Sequence, residues 1–492
     1  MRSSCILAAS SLLLSTAGAI NLRERGQDAP RVVKFDLERN EIEDRVAHDR
    51  NRYRKRDSVQ ATLDNQKALY TLNMTIGTPK QSFRVDIDTG SSDLWVNAAS
   101  STLCERRTDP CASGGSYSVN ASSTYSFVRD DFNITYVDGS GAAGDYATDT
   151  VDVGGTVIKA LQFGIGYEST STNNIMGIGY RTNEAQAANL GMTPYENVPA
   201  RLVSDGVIAS TAYSLYLDDL DASTGSLLFG GVDRSQYTGE LVTLPIQSVG
   251  TDSDGQPVFR EFWLTLSQLD LAGSTVAEDM GLAVLLDSGS SLTYLPDELT
   301  AAIYDAVGAQ YDSQAGLAVV ECALARQSAN LTFHFDKPAV VSVPIDELVI
   351  SSTSESSADT AENQICTFGI APSGSSSSVL GDTFLRSAYV VFDLDNNEIS
   401  LAQSNFDATD SDIVEIGSGA DAVPSATDAS ESIAATLGLP SEAQATGTMN
   451  ITTGNSLNDT DDGDSAAGIL AAAPVAATVV SVVACGIVAF LI

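Results

Sequence analysis

Two short segments of the 492-residue chain repeat one pattern, in which an apolar run ends at an aspartate followed by small and hydroxyl residues. Residues 83–96 read FRVDIDTGSSDLWV, and residues 283–296 read AVLLDSGSSLTYLP. An apolar pair and a glycine follow each segment, at residues 175–177 and 379–381. This similar spacing predicts a duplicated unit, so that each half of the molecule supplies one aspartate.

The chain between residues 69 and 403 is dominated by short apolar alternations, such as YTLNMTI at residues 70–76, separated by Gly, Ser, Asp and Asn. Alternation of this kind is typical of strands, and a chain of this length exceeds a single core. We therefore expect a mainly β protein with at least two packed units, an N-terminal lobe at 57–240 and a C-terminal lobe at 241–405. Helices are expected at 194–207 and 296–307, since proline and acidic residues suit a helix start.

The N-terminal region has the features of a secretory precursor. Residues 1–19 combine Arg2, an apolar run at 6–14 and the small residues AGA at 17–19, which indicates a signal peptide. Residues 20–56 hold 11 Lys or Arg against 8 Asp or Glu and end in RKR. This segment is predicted to be a basic propeptide, with the mature protein starting near Asp57.

The remainder of the chain is strongly acidic. Residues 57–492 hold 14 Lys or Arg against 56 Asp or Glu, a net charge of −42, which argues against nucleic acid as a partner. Solubility alone could explain this charge, but it also suits an acidic medium, where carboxylates are protonated and repel one another less. The basic propeptide is expected to inhibit the body electrostatically, and acid or high salt should weaken that contact.

The C-terminal region is read as an attachment segment. Residues 407–465 contain no Lys or Arg and are rich in Ser, Thr, Ala, Gly and Asp, so residues 406–455 are expected to form an unfolded stalk. Residues 468–492 are apolar and uncharged. They fit a spanning helix, but the preceding polar spacer favours a GPI signal at 456–492 that is removed, with Gly454 or Asn455 as the anchored residue.

Four cysteines lie in the predicted secreted body, and they should pair in an oxidising compartment. Pairing Cys104 with Cys111 and Cys322 with Cys366 closes one local loop in each half, so it is favoured among the three possible connectivities. Six sequons are compatible with glycosylation on a secretory route; they begin at Asn73, Asn120, Asn133, Asn330, Asn450 and Asn458.

The paired aspartates, Asp88 and Asp287, point to acid–base chemistry. An apolar strand that ends in Asp-Thr/Ser-Gly delivers a carboxylate into a tight turn, where hydroxyls can bond its oxygens. Two carboxylates in one site share a proton, so one can activate water while the other donates to a peptide carbonyl. No metal or cofactor is required, and of the two histidines His48 lies in the propeptide while His334 is expected to be a structural strand residue.

These segments resemble the pepsin-like aspartic proteases, and within them the fungal GPI-anchored, yapsin-like branch. The motifs are DTGSSDLWV at Asp88, ITYVDGSGAAG at 134–144, LLDSGSS at 285–291 and VLGDTF at 379–384, and the resemblance covers residues 69–403. It implies a fold of two similar β lobes around a deep cleft, with one catalytic aspartate from each lobe, Asp88 and Asp287. It further implies that the hydroxyls of Ser91 and Ser290 bond their carboxylates. It also implies that two further side chains bond across to the opposite loop, namely Thr89 and Ser288.

The resemblance implies a β-hairpin flap over the substrate, with Tyr136 as its tyrosine, Trp95 as the donor to that hydroxyl, and Asp138 and Gly139 at its tip. Aromatic core packing is the alternative role for the two aromatic residues. Val137 departs from the family's usual glycine and should stiffen the tip. Asp138 matches a position where an acid favours Lys or Arg before the scissile bond; a broad hydrophobic preference is the alternative.

The expected activity is therefore aspartic endopeptidase hydrolysis of proteins or peptides at acidic pH by a monomer on the secretory pathway, attached at the plasma membrane or cell wall. Two other classes compete with it. A non-catalytic wall or adhesion protein would explain the stalk, the anchor and the sequons. A glycosidase also uses two carboxyl groups, but it needs them separated and in different environments, whereas a duplicated motif predicts a symmetric pair.

Overall fold

The computed structural model describes residues 30–40, 69–136, 140–222, 224–313, 315–351, 364–440, 449–452 and 457. Several predicted features lie outside these ranges: the signal peptide, the processing site at 54–56, Val137, Asp138, Gly139, Gly454, Asn455, Asn458 and the apolar tail at 468–492.

The expectation of a mainly β protein is confirmed, because strands dominate the described residues. The strands up to the middle of the chain are β1 (Val33–Asn40), β2 (Leu69–Ile76), β3 (Gln81–Asp88), β4 (Leu94–Asn97), β5 (Ser126–Thr135), β6 (Gly141–Val153), β7 (Thr156–Ser169), β8 (Asn174–Gly177), β9 (Ala212–Tyr216), β10 (Thr224–Phe229), β11 (Gly231–Asp233) and β12 (Tyr237–Pro245).

The second half contains a further set of strands and a short C-terminal group. These are β13 (Trp263–Leu266), β14 (Gln268–Leu271), β15 (Ser274–Glu278), β16 (Leu282–Leu286), β17 (Thr293–Leu295), β18 (Gln310–Asp312), β19 (Leu317–Glu321), β20 (Asn330–His334), β21 (Val340–Pro344), β22 (Val349–Ile350), β23 (Ile365–Phe368), β24 (Ile370–Pro372), β25 (Ser378–Leu380), β26 (Ala388–Asp393), β27 (Glu398–Ser404), β28 (Ile413–Glu415), β29 (Ala426–Asp428) and β30 (Asn450–Ile451).

One large sheet joins the strands of the first half to strands β26, β27 and β29 of the second half. Its order is β29-β12-β27-β26-β9-β10-β1-β2-β3-β8-β4-β7-β6-β5. The C-terminal half adds the sheets β13-β16-β25-β17-β24, β21-β20-β14-β15-β30 and β18-β19-β23-β22, and β11 pairs with β28. The inward faces of these sheets share a core that includes Val85, Ile87, Val284 and Leu286.

The strands around the two aspartates have the same arrangement in both halves. Strand β3 runs parallel to β8, with Asp88 opposite Gly177, and β8 runs antiparallel to β4. Strand β16 runs parallel to β25, with Leu286 opposite Leu380, and β25 runs antiparallel to β17. This correspondence agrees with the repeat in the sequence.

Glycine is required in both copies of the downstream motif because the backbone approaches closely there. A Cβ on Gly177 would lie 2.5 Å from the backbone nitrogen of Ser92. A Cβ on Gly381 would lie 2.3 Å from the carbonyl oxygens of Ser290 and Leu292. Such distances exclude any side chain, so these glycines let each loop pack onto its parallel strand.

Five α-helices lie among the described residues, α1 (Ala185–Leu190), α2 (Val198–Ser204), α3 (Asp297–Val307), α4 (Ile345–Leu348) and α5 (Asp382–Leu385), together with three short 3-10 helices, Val119–Ala121, Arg181–Asn183 and Cys322–Arg326. The prediction at 296–307 matches α3, which ends at Gly308 in the left-handed region. The prediction at 194–207 was too long. Helix α2 begins only after Asn197, whose Oδ1 accepts a hydrogen bond from the Ala200 backbone nitrogen at 3.4 Å.

The structure corrects the expectation that residues 406–455 form an unpacked stalk. Strand β28 pairs with β11, β29 runs parallel to β12, and β30 pairs with β15. Between them, the backbone nitrogen of Ile433 donates to Asp336 Oδ1 at 2.9 Å. Composition missed this docking because strand pairing uses backbone groups, which every residue except proline supplies in full.

Part of the predicted propeptide belongs to the central sheet. Strand β1 pairs with β10 on one side and with β2 on the other, and its Phe35 and Leu37 are buried. Arg31, just before β1, donates to both carboxylate oxygens of Glu415 in the C-terminal segment at 2.8 Å. Residues 33–40 of the predicted propeptide thus form an integral strand of this sheet.

Both predicted cysteine pairings are present, Cys104 with Cys111 and Cys322 with Cys366. His334 ends strand β20, where its Nε2 lies 2.9 Å from Asp270 Oδ2 on the neighbouring strand β14. No helix within the described ranges has the length and apolar character needed to cross a membrane.

Candidate active site

The first aspartate stands at the end of a buried strand. Residues 85–88 of β3 are all buried, and the Asp88 side chain is fully enclosed. The loop that follows turns back onto this carboxylate. The backbone nitrogen of Gly90 donates to Asp88 Oδ1 at 2.9 Å, and Ser91 Oγ donates to Oδ2 at 2.6 Å. The carboxylate is therefore held in one orientation by its own loop.

The second aspartate has the same partners in the same geometry. Asp287 directly follows the buried strand β16. The backbone nitrogen of Gly289 donates to Asp287 Oδ1 at 2.9 Å, and Ser290 Oγ donates to Oδ2 at 2.7 Å. Each half thus presents an oriented carboxylate with one backbone and one hydroxyl donor.

The two loops are joined to each other by a crossed set of hydrogen bonds. Thr89 Oγ1 donates to the carbonyl oxygen of Leu286 at 3.0 Å and accepts from the Ser288 nitrogen at 3.0 Å. Reciprocally, Ser288 Oγ donates to the carbonyl oxygen of Ile87 at 2.8 Å and accepts from the Thr89 nitrogen at 3.2 Å. All four residues are buried, so these bonds fix the two loops face to face.

The Asp287 carboxylate lies directly against the first loop. A Cβ placed on Gly90 would be 2.6 Å from Asp287 Oδ1 and 2.8 Å from its carboxyl carbon. Because Gly90 is two residues from Asp88 and bonds to it, the fold brings the two predicted dyad residues to one place. Only glycine fits at this position.

The predicted flap residues meet as a hydrogen-bonded pair. Trp95 Nε1 donates to the Tyr136 hydroxyl at 2.7 Å. Tyr136 follows β5, and its backbone nitrogen donates to the carbonyl oxygen of Ser140 at 2.8 Å, which closes the β5–β6 hairpin. Trp95 is fully buried and packs near Phe132, so it combines core packing with the predicted donor role.

A pair of buried acids beside this site was not found by sequence reasoning. Asp93, five residues after Asp88, accepts from the Ala185 nitrogen at 2.7 Å and from the Tyr195 hydroxyl at 2.9 Å. Burial raises the pKa of Asp93 from 3.8 to about 6. The only sequence signal for the burial of Asp93 was its position directly before the apolar residues of the segment DLWV.

Glu184, the second acid, is also fully buried. Its Oε2 accepts from the Tyr195 nitrogen at 2.7 Å, while its buried Oε1 has no hydrogen-bond partner among the described residues. Burial raises the pKa of Glu184 from 4.5 to about 9, and the nearby Asp93 charge adds to the shift. Asp93 and Glu184 thus form an acid cluster that favours protonation.

Comparison with known proteins agrees with this geometry. Residues 69–404 match the family model described as eukaryotic aspartyl protease. The chain is 47% identical over 479 residues to the "Probable aspartic-type endopeptidase opsB" of Aspergillus oryzae, covering 96% of this chain and 95% of that protein. It is 38% identical over 359 residues to "Secreted aspartic protease 1" of Candida albicans, covering 72% of this chain and 85% of that protein.

A third relative, the "Acid protease" of Saccharomycopsis fibuligera, is 35% identical over 348 residues, which cover 71% of this chain and 84% of that protein. The family model spans both aspartate loops. The chain therefore belongs to the eukaryotic aspartyl protease family and is an aspartic-type endopeptidase.

Proposed function

We propose that the protein hydrolyses peptide bonds at acidic pH through Asp88 and Asp287 acting as one dyad on a bound water. The observation that carries this proposal is the approach of the Asp287 carboxylate to Gly90, within loops locked together by Thr89 and Ser288. Two carboxylates this close cannot both ionise easily, so they hold one proton between them and titrate as a unit.

In the proposed reaction, the ionised carboxylate takes a proton from water while the water oxygen bonds to the peptide carbonyl carbon. The protonated carboxyl donates its proton to the carbonyl oxygen, which gives a neutral tetrahedral intermediate. Breakdown returns the carbonyl, breaks the C–N bond and transfers a proton to the leaving amine. Ser91 and Ser290 keep the carboxylates aimed at the water by donating to their other sides.

This mechanism predicts cleavage of a protein substrate at about pH 4 to 5, blocked by a statine inhibitor that mimics the tetrahedral intermediate. The measurement is the rate of peptide release with and without inhibitor. A non-catalytic protein or a glycosidase would release no peptides, and statine would not inhibit the activity of a glycosidase. Cleavage that statine leaves untouched would contradict the proposed dyad.

The flap is proposed to close over the bound peptide, with Trp95 holding Tyr136 in position. Asp138 and Gly139 lie in the chain between Tyr136 and Ser140, the two residues whose backbone hydrogen bond closes the hairpin. An acid there favours a cationic residue before the scissile bond by charge complementarity. A preference for basic residues is therefore proposed over a broad hydrophobic one.

Asp138→Ala should reduce the preference for Lys and Arg before the scissile bond, because it removes the attracting charge. Cleavage of a peptide library by wild type and variant measures this preference, and about a tenfold loss is expected for a charge pair of ordinary strength. An unchanged cleavage pattern would show that the Asp138 side chain is solvated and does not determine specificity.

The protein is further proposed to be a surface-attached member of the fungal yapsin-like branch. Residues 1–19 would direct secretion, residues 20–56 would act as an inhibitory propeptide released by acid or high salt, and Gly454 or Asn455 would receive a GPI anchor. One relative carries the word "Secreted" in its name, and each sequon asparagine that the structure describes is exposed, which supports glycosylation on this route.

An anchor at either residue would follow within three residues of Thr452, whose nitrogen bonds to Val276. Attachment would therefore be close to the folded body, not at the end of a long stalk. A phospholipase specific for GPI anchors should release active enzyme from intact cells; retention of the enzyme would favour the spanning helix.

A further inference from the structure

A third acid, Glu261, lies two residues before the strand that pairs with the strand leading to Asp287. Strands β13 and β16 are antiparallel, with Trp263 opposite Leu285. The pairing continues one step further, because the Leu286 nitrogen donates to the carbonyl oxygen of Phe262 at 3.1 Å. Glu261 and Asp287 each lie one residue beyond this bonded pair, at the same end of the two strands. A turn fixes Glu261 there, because the Trp263 nitrogen donates to its carbonyl oxygen at 3.2 Å.

Among the described residues, the protein donates a hydrogen bond to only one of the two oxygens of the Glu261 carboxyl. Its Oε2 accepts from Trp263 Nε1 at 2.8 Å, whereas no described residue donates to its Oε1. The side chain is partly exposed. Burial raises the pKa of Glu261 above its ordinary value, and the charge of Asp287 raises it further. A carboxylate oxygen is therefore available to a ligand close to the reacting centre.

The segment that carries Glu261 is fixed between the two halves of the molecule. The Thr182 hydroxyl donates to the carbonyl oxygen of Phe259 at 2.6 Å, and the rings of Tyr180 and Phe259 stack with centroids 6.5 Å apart. The preceding residue, Arg260, is exposed and partly offsets the Glu261 charge from its own segment. Glu261 is thus held in place and does not depend on a loose loop.

We propose that Glu261 is a specificity-determining residue that binds the cationic side chain of a substrate Lys or Arg at one of the two positions flanking the scissile bond. An ammonium or guanidinium group supplies the donor that Oε1 lacks and offsets the repulsion between two neighbouring carboxyls. This inference rests on the proposed dyad mechanism, and it concerns the C-terminal half, whereas Asp138 belongs to the flap.

The test uses peptides that differ only at the two flanking positions, each carrying Lys or the uncharged norleucine. The ratio of kcat/KM for Lys to that for norleucine is measured for wild type, Glu261→Gln and Glu278→Gln. Glu278 is exposed on β15, so its variant removes the same charge from the same half, away from the dyad strands. Asp138→Ala in the same series separates the contribution of the flap.

We expect wild type to prefer Lys at one position, Glu261→Gln to lower that ratio by about tenfold, and Glu278→Gln to leave it unchanged. A wild type without this preference, or a Glu261→Gln enzyme that keeps it, would overturn the inference. An equal loss for both peptides would also overturn it, because that outcome signals a structural role. If wild type cleaves none of the peptides at acidic pH, the proposed function falls together with the inference.

Discussion

Asp287→Asn should lower kcat/KM for peptide cleavage by about 10⁴-fold or more, because an amide can neither share the proton of the dyad nor activate the water. The substitution is nearly isosteric, and the new side-chain oxygen can still accept from the Gly289 nitrogen. The loops should therefore stay joined through Thr89 and Ser288. Asp88→Asn is expected to behave in the same way, since the two carboxyls act as a unit.

The matched control is Asp279→Asn, measured with the same peptide at about pH 4.5. Asp279 is an exposed aspartate of the same half, with a φ of 53° that asparagine adopts readily. It should keep full activity. Thermal unfolding should show that the Asp287→Asn variant is folded. If the folded variant retains more than about 1% of the wild-type rate, the dyad mechanism is contradicted.

Glu184→Gln should stabilise the protein near neutral pH and have little effect in acid. In the folded protein, burial raises the pKa of Glu184 from 4.5 to about 9. Below pH 4.5 the folded and unfolded chains both hold the proton, so folding carries no penalty. Between pH 4.5 and about 9 only the unfolded chain ionises, and the free energy of unfolding falls by about 1.4 kcal/mol per pH unit.

At pH 7 this linkage costs roughly 3 kcal/mol of stability, which a glutamine does not lose because it does not titrate. Its amide oxygen can accept from the Tyr195 nitrogen as Oε2 does. Asp93, whose pKa is raised to about 6, adds to the same trend. Urea unfolding at about pH 4 and about pH 7 measures the difference between wild type and variant.

Glu168→Gln is the control for this measurement, since Glu168 is exposed on β7 and should show no stabilisation. A Glu184→Gln protein no more stable than wild type at pH 7 would show that the acid cluster does not limit stability there. If the prediction holds, the folded state and the proton-sharing dyad favour the same acidic range. The acid cluster would then add to the effect of the high net negative charge.

The parts of the site that were predicted correctly depend on residues close together in the chain. Each aspartate finds its glycine and serine donors within three residues, so the motif already contains the geometry of each half-site. The cysteine pairs were also favoured by local loop closure, and α3 had its start signal, a proline followed by two acids, in the sequence.

The errors arose where backbone pairing or long-range burial decided the outcome. The segment from 406 onward lacked an apolar pattern, yet it joins sheets through backbone hydrogen bonds that do not depend on side-chain type. Helix α2 is shorter than predicted because Asn197 caps it within the periodic segment. Nothing in composition marked residues 33–40 as a strand of the central sheet.

From the sequence alone, the class of fold, the two aspartates and their immediate donors could be determined, since strand alternation and short motifs are local properties. Only the tertiary structure decided that Glu184 is buried beside Asp93, 91 positions away, and that Glu261 lies at the same strand end as Asp287. The physical reason is that burial and proximity set the charge state of a carboxyl, and both depend on which distant strands pack together.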